Sequence, residues 1–377
     1  MSAMAAQPLP AFEIAGRKIG PQYPPYVIAE ISCNFAYAKD SKWGKAGKDY
    51  QRCVQLIKDA AAAGCDAVKL QTYKADTITM NCTKPHFMIK GAKVDLWNEQ
   101  SLHALYEKNS MPWEWTEPLM KVASEYGLAL FTSPFDETAV DYLEKLNVPA
   151  YKIASFESTD HGLLRKVAST GKPIIMSTGM ATVSDIDESI SVLRAAGVKQ
   201  LAVLKCTSSY PAEPKDANVS GIRVLQQTWN VIPGLSDHTL GNEVAMAAVA
   251  MGACVIEKHI IIDRDCPTAD APFSLTGPEF KTLVQSARIV REALGNPHMA
   301  FGKSKSEGLS KKWRRSIFAV KDIKKGEKFV KGVNVRSIRP AHGLHTRHWD
   351  LVLDSEATCD LEAGTPLNFH HLSSSAK

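Results

Sequence analysis

The run at residues 229–259, WNVIPGLSDHTLGNEVAMAAVAMGACVIEKH, decides how the chain is read. Two short apolar segments, 231–235 and 253–256, flank a small-residue amphipathic stretch of helix length, and each runs into a polar tip carrying a histidine. That is the pattern of a strand, a helix and a second strand. If the strands are parallel, their C-terminal ends lie on one side of the sheet, so His238 and His259 converge although 21 residues apart. Two neutral imidazoles so held suit a divalent transition metal, with a carboxylate and water as further ligands. The alternative is that each histidine caps its own strand end. The neighbours Ser236, Asp237, Glu257 and Lys258, with Asp263 and Asp270 beyond, weigh toward a metal.

Working outward, strand patterns recur at 27–31, 67–71, 128–132, 150–154, 173–177 and 201–206. Helical patterns separate them at 49–63, 114–126, 137–146, 162–169, 183–196 and 217–228, and a last helix at 278–294 follows the eighth strand. Eight strands each followed by a helix predict a (β/α)8 TIM barrel over residues 1–295, an α/β fold whose catalytic side chains come from the C-terminal strand ends. The polar residues fall at those ends. Glu30 closes the first strand, Lys69 and Gln71 the second; Ser133 and Asp136 follow the third, Lys152, Ser155 and Glu157 the fourth. Ser177 ends the fifth, and residues 207–210, with Tyr210, follow the sixth.

The first 24 residues, punctuated by Pro and Gly, predict a short ribbon under the barrel. Two insertions interrupt the pattern: a lysine-rich loop at 33–48, and a long segment at 74–112 carrying Phe87, Trp97 and Tyr106, of the kind that forms a lid or a subunit contact. After about residue 295 the pattern changes. Residues 296–315 read as a linker, with KKWRR at 311–315 the densest positive cluster, and 316–372 as a small β-rich domain with two related turns, IKKG and LEAG.

A net charge of +5, with 45 basic and 40 acidic residues, favours small anionic ligands and gives no sign of nucleic acid. Eight cysteines without a CxxC pair, no run of 18 apolar residues and no signal-peptide pattern lead to the expectation of a soluble, cytoplasmic protein without membrane association.

Lys69 and Lys152 end strands in otherwise apolar runs, VKLQTY and YKIASFE. Such a lysine either forms a Schiff base or stays charged and holds an anion. Two of them, with Ser133, Ser155, Ser177 and Ser236, make an anion cradle the better reading. The competing reading pairs the lysines with Glu30 or Glu157 and leaves the serines as strand-end caps. With Glu30, Glu157 and Asp270 nearby, the set fits a reaction between a phosphorylated small molecule and a polyhydroxylated carbonyl compound. Asp263 and Arg264 read as a structural pair.

These residues also carry a family resemblance. VKLQTYKADT, the PWEW step, SPFDETAVDYLEKLNVPAYKIASFE, GKPIIMSTGMA, KCTSSYPA, GLSDHT, VIEKH and FSL, in this order, resemble the phosphoenolpyruvate-dependent sialic acid (nonulosonate) synthases, most of all the pseudaminic acid synthases among them. The resemblance implies a TIM-barrel synthase followed by an antifreeze-like (SAF) domain, in a domain-swapped homodimer. It implies condensation of phosphoenolpyruvate with an N-acylated amino sugar and release of phosphate. Position by position it gives phosphoenolpyruvate to Lys69, Ser133, Lys152, Ser155, Ser177 and Ser236, and the sugar to Gln71, Glu157, Tyr210 and Arg339. Glu30, Asp270 and His259 take catalytic roles. His238 and His259 hold a divalent metal, Mn2+ before Mg2+ or Co2+. Three departures stand out: Phe35 in the loop after strand one where His is usual, Ala271 where His or Ser is usual, and Ala341 after Arg339-Pro340 where Gly is usual. The first two predict a sugar pocket with fewer polar partners.

Overall fold

A computed structural model divides the chain into two units, Met1–Leu294 and Gly295–Lys377, and describes residues 11–36, 48–91, 98–266, 268–295, 304 and 306–373. Most of the lysine-rich loop, Trp97, much of the linker and the end of the SSSAK tail lie outside the described residues.

The first unit is built on eight parallel strands: β1 (Tyr26–Glu30), β2 (Ala67–Thr72), β3 (Ala129–Pro134), β4 (Tyr151–Ile153), β5 (Ile174–Ser177), β6 (Leu201–Cys206), β7 (Ile232–Asp237) and β8 (Val255–Ile261). β8 pairs with β7 and with β1, His259 opposite Glu30, so the sheet closes on itself. A helix follows each strand: α1 (Lys48–Ala63), α2 (Thr116–Glu125), α3 (Glu137–Lys145), α4 (His161–Ala168), α5 (Val183–Ala195), α6 (Gly221–Trp229), α7 (Glu243–Ala250) and α8 (Gly277–Leu294). In α1, Cys53, Leu56, Ile57 and Ala60 recur at helical spacing and are buried on the face toward the sheet.

Strand side chains alternate between the barrel interior and the helix layer. Outward residues such as Val68, Leu70, Leu235 and Ile256 join the helices. Inward residues sort by height. The lower interior is apolar, with Ile28, Phe131, Ile175, Leu204 and Val255, and Phe12, Ile14 and Ile19 of the hairpin Phe12–Ile14 and Arg17–Ile19 pack into the same cluster. Within the predicted basal ribbon, residues 12–19 form this hairpin, and residues 1–10 lie outside the described residues. The upper interior is polar, because one step of two residues along seven of the eight strands brings in Glu30, Lys69, Ser133, Lys152, Ser177, Ser236 and Glu257, while β6 brings Cys206. Gly234 lets β7 close against its neighbours, since a Cβ there would lie 2.4 Å from Leu204 and 2.6 Å from the Val255 carbonyl.

The second unit has its own core, including Ile317, Phe329, Val335, Val352, Leu361 and Leu367. Its ladder joins β9 (Ser316–Ala319) to β10 (Val335–Ile338), antiparallel. The two related turns meet: Ile323 and Leu361 exchange both backbone hydrogen bonds at 2.8 Å. Residues 306–315, read as linker, fall with this unit.

Candidate active site

The mouth of the barrel is a cavity of about 520 Å3. Its polar lining comes from strand ends far apart in sequence, and a buried carboxylate, Glu257, sits among its cations. Ser236 donates to Glu257 Oε1 at 3.0 Å, and the ammonium groups of Lys69 and Lys152 each approach the same oxygen to 3.7 Å. Lys69 also pairs with Glu30 at 2.5 Å and donates to Ser133 at 3.3 Å. Lys152 donates to Ser177 at 2.6 Å and to the Ile153 carbonyl at 3.1 Å.

Burial dominates the electrostatics, and charge partners decide its outcome. Burial by itself raises the Glu257 carboxyl, but Lys152, Lys69 and the Ser236 hydroxyl overcome it and hold the group at about 2. Lys69, opposed by burial, is held above its ordinary value by Glu257 and Glu30. For Lys152 burial wins, and its value falls. Glu157 is pushed up to about 7 by burial, its other partners being too weak to compensate.

The next loop completes the cradle. Gly179 N donates to Ser155 Oγ at 3.0 Å, and a Cβ at Gly179 would lie 2.0 Å from Ser208 Oγ and 2.8 Å from Ser155 Oγ. Only a glycine leaves room there for the Ser155 hydroxyl, which lines the cavity, and for Ser208 beside it.

His238 and His259 meet with ring centroids 5.3 Å apart. His238 Nδ1 lies 3.1 Å from the Thr207 carbonyl. A carbonyl only accepts, so Nδ1 carries a proton, and in the neutral ring Nε2 keeps its lone pair. His259 Nδ1 faces Asp270 Oδ2 at 3.2 Å. Burial raises Asp270, but His259, Ser32 and Cys33 together hold it below the usual carboxylate range. An imidazole backed at one nitrogen by a carbonyl or carboxylate is oriented to bind a metal with the other. Among the described residues no three His, Cys, Asp or Glu side chains form a ready-made cage. The donor set fits a divalent ion held by two imidazoles, its other positions left to oxygen ligands of substrate and water.

Gln71 donates to Glu30 Oε1 and to Ser32 Oγ, both at 3.1 Å, and Tyr210 packs against His238 with centroids 4.6 Å apart and the rings tilted by 58°. The structure thus brings Glu30, Lys69, Gln71, Lys152, Ser155, Glu157, Ser177, Tyr210, Ser236, His238, His259 and Asp270 to one cavity. Ser133 stands behind Lys69, fully buried and outside the lining. Arg339 belongs to the second unit.

Three readings need correction. Phe35 does not face the cavity: its ring packs edge-on against Trp115 at 6.1 Å, in the layer outside the barrel. Ala271 is buried and also outside the lining. Arg264 pairs with Glu279, not Asp263, whose carboxylate instead caps the Asp265 amide at 3.0 Å.

Two features escaped the sequence reading. Glu257 was visible only as a neighbour of the histidine, although it shares that histidine's strand parity. The other is an aliphatic wall from the segment after β2, where Ile78, Ile89, Leu102 and Leu105 line the same cavity. Helix Leu102–Asn109 within that segment shows only a weak amphipathic pattern. Asn34 fixes the loop after β1, donating to the Ile260 carbonyl and to Ser274, each at 2.8 Å.

Known proteins match the chain in sequence and in fold. The NeuB family model matches residues 56–299 and the SAF domain model residues 314–373. The chain is 38% identical over 342 residues to a pseudaminic acid synthase of Campylobacter jejuni, covering 91% of this chain and 95% of the relative. It is 34% identical over 313 residues to an N,N'-diacetyllegionaminic acid synthase of the same species, covering 82% and 92%. The crystal structure of an N-acetylneuraminic acid synthetase from Leptospira borgpetersenii superposes with a TM-score of 0.68 at 26% identity, over 81% of this chain and 97% of that one. With the family model spanning well over half of its length, the chain belongs to the NeuB family of phosphoenolpyruvate-dependent nonulosonate synthases and is closely related to pseudaminic acid synthase.

Proposed function

We propose that the acceptor is a 2,4-diacetamido-2,4,6-trideoxyhexose and the product pseudaminic acid. The observation that carries this choice is the aliphatic wall of Ile78, Ile89, Leu102 and Leu105 in the cavity that also holds the anion cradle. This acceptor offers a C6 methyl and a second acetamido methyl to such a wall. N-acetylmannosamine has a C6 hydroxyl there, and burying it unpaired costs about 1–3 kcal/mol. The names of the relatives support the same choice.

In this reading Lys69, Lys152, Ser155, Ser177 and Ser236 bind the carboxylate and phosphate of phosphoenolpyruvate, with Ser133 holding Lys69 in place. C3 of phosphoenolpyruvate forms a bond to the aldehyde carbon, water adds at C2, and phosphate leaves by C–O cleavage. Glu157, protonated up to about pH 7, gives a proton to the aldehyde oxygen. Glu30 takes the proton of the incoming water, and Asp270 orients acceptor hydroxyls beside Tyr210 and Gln71. A divalent metal on His238 and His259, Mn2+ before Mg2+ or Co2+, supplies Lewis-acid polarisation of the carbonyl when bound.

The protein is further proposed to act as a homodimer, with Arg339 of the second unit as a sugar contact. The test is phosphate release from phosphoenolpyruvate with each acceptor in turn. Leu102→Asn combined with Leu105→Asn is expected to raise KM for the diacetamido sugar roughly 10-fold and to leave KM for phosphoenolpyruvate almost unchanged. Unaltered sugar KM would remove the wall from the account.

A further inference from the structure

The outward faces of β7 and β8 carry two charges that the proposed reaction does not touch. Along both strand ends the side chains run inward, outward, inward: Ser236, Asp237 and His238 on one, Glu257, Lys258 and His259 on the other, with Asp237 opposite Lys258 in the ladder. The inward four line the cavity. Asp237 and Lys258 are shut in at 3% and 0% exposure, on the side of the sheet where Leu235, Ile256 and Ile260 form the apolar layer.

A buried ion pair in such a layer is a poor stabiliser, because desolvation cancels most of its attraction; its best-attested use is to fix register and geometry. Here each partner is fully engaged. Lys258 Nζ donates to Asp237 Oδ2 at 2.7 Å and to the carbonyl of Thr239. Asp237 Oδ1 accepts from Thr239 N at 2.9 Å and from its hydroxyl at 2.7 Å. The residues on either side of His238 are therefore tied to each other across it, and both are tied to the residue that precedes His259.

We infer that Asp237 and Lys258 are positioning residues that set the separation and aim of the two histidines, and so the affinity for a divalent metal. The inference rests on the metal role given to His238 and His259 above. Its test uses the full-length protein and the double variant Asp237→Asn/Lys258→Met, which removes both charges together, keeps an oxygen for Thr239 and leaves no lone buried charge. Manganese affinity is read from the paramagnetic resonance signal of free Mn2+, phosphoenolpyruvate affinity from calorimetry, and folding from thermal melting.

Manganese binding is expected to weaken by about 10–100-fold, the usual effect of losing a group that orients a ligand. Phosphoenolpyruvate affinity should stay within about two-fold, since the cradle faces the other side of the sheet. Thr239→Val, a gentler change that removes one tether across His238, should weaken manganese binding in the same direction by a few-fold. A folded double variant or Thr239→Val protein that binds manganese as tightly as the native chain overturns the inference. So does an equal loss of manganese and phosphoenolpyruvate affinity, which would mean general loosening of the strand ends. His238→Ala separates the levels: if it leaves manganese binding of the otherwise native chain intact, the metal reading itself fails and the positioning role falls with it.

Discussion

Glu257 holds one charge against two lysines in the barrel mouth, where burial and Coulomb attraction are both large. Replacing it by Gln leaves Lys69 with Glu30 but Lys152 without a carboxylate at that distance. Removing one member of such a buried set costs about 3 kcal/mol, a melting point lower by several degrees. Phosphoenolpyruvate, itself an anion, should restore more of the melting point in Glu257→Gln than it adds to the native protein; equal shifts in both would deny Glu257 its place in the cradle. Glu157 offers a different test. Its carboxyl binds a proton in the folded chain up to about 7, whereas the unfolded chain has released it by then. The folded state therefore loses relative stability as pH rises from about 4.5 through 7. Glu157→Gln should flatten that decline in melting temperature and remove an ionisation near 7 from the pH profile of turnover. A profile identical to that of the native protein would exclude Glu157 as proton donor. Most groups of this site were legible because they fall at the C-terminal ends of barrel strands, as Lys69 and Gln71 do; Glu257 was missed because only strand parity, shared with His259, turns it inward. Phe35 and Ala271 were misplaced because they lie in loops, where no such period says which way a side chain faces.

Among the elements, the segment between β2 and α2 depends on a single carboxylate for one of its anchors. Asp136 caps α3 through Oδ1, accepting from Thr138 N at 2.7 Å and Ala139 N at 3.3 Å, while Oδ2 accepts from Thr77 of the helix Ala75–Ile78 at 2.7 Å. Asp136→Ala should cost about 1 kcal/mol through the lost cap. It should also raise KM for the sugar more than KM for phosphoenolpyruvate, because the released helix carries Ile78 of the aliphatic wall. Asp136→Asn keeps the cap acceptor and should keep most of the stability. Equal effects on both substrates in Asp136→Ala would separate this segment from acceptor binding. The barrel strands themselves were readable from sequence to within a residue or two, since each is a short apolar run with a polar tip. The segment at 74–112 was not: its helix Leu102–Asn109 is only weakly amphipathic, and what covers the cavity is set by long-range contacts such as that of His103 with Asp76 at 2.9 Å.

At the scale of the molecule, the division at residue 294 and the separate core of the second unit make that unit a candidate for removal as a block. If Arg339 contacts the sugar, a chain ending at Lys311 should retain a barrel that binds phosphoenolpyruvate and lose use of the acceptor, and the intact active protein should sediment as a dimer. Normal sugar affinity in the truncated chain, or activity in a monomer, would contradict this assembly. The small unit was legible in outline from its two turns, IKKG and LEAG, while its pairing of Ile323 with Leu361 depends on contacts that no local pattern encodes. The account stands most directly on the identity of the product. Purified protein is given phosphoenolpyruvate and manganese with a panel of acceptors, and the products are identified by mass spectrometry. The account predicts a nonulosonic acid formed from the 2,4-diacetamido-2,4,6-trideoxyhexose with one phosphate released per product. Efficient conversion of N-acetylmannosamine with no turnover of the diacetamido sugar would contradict it.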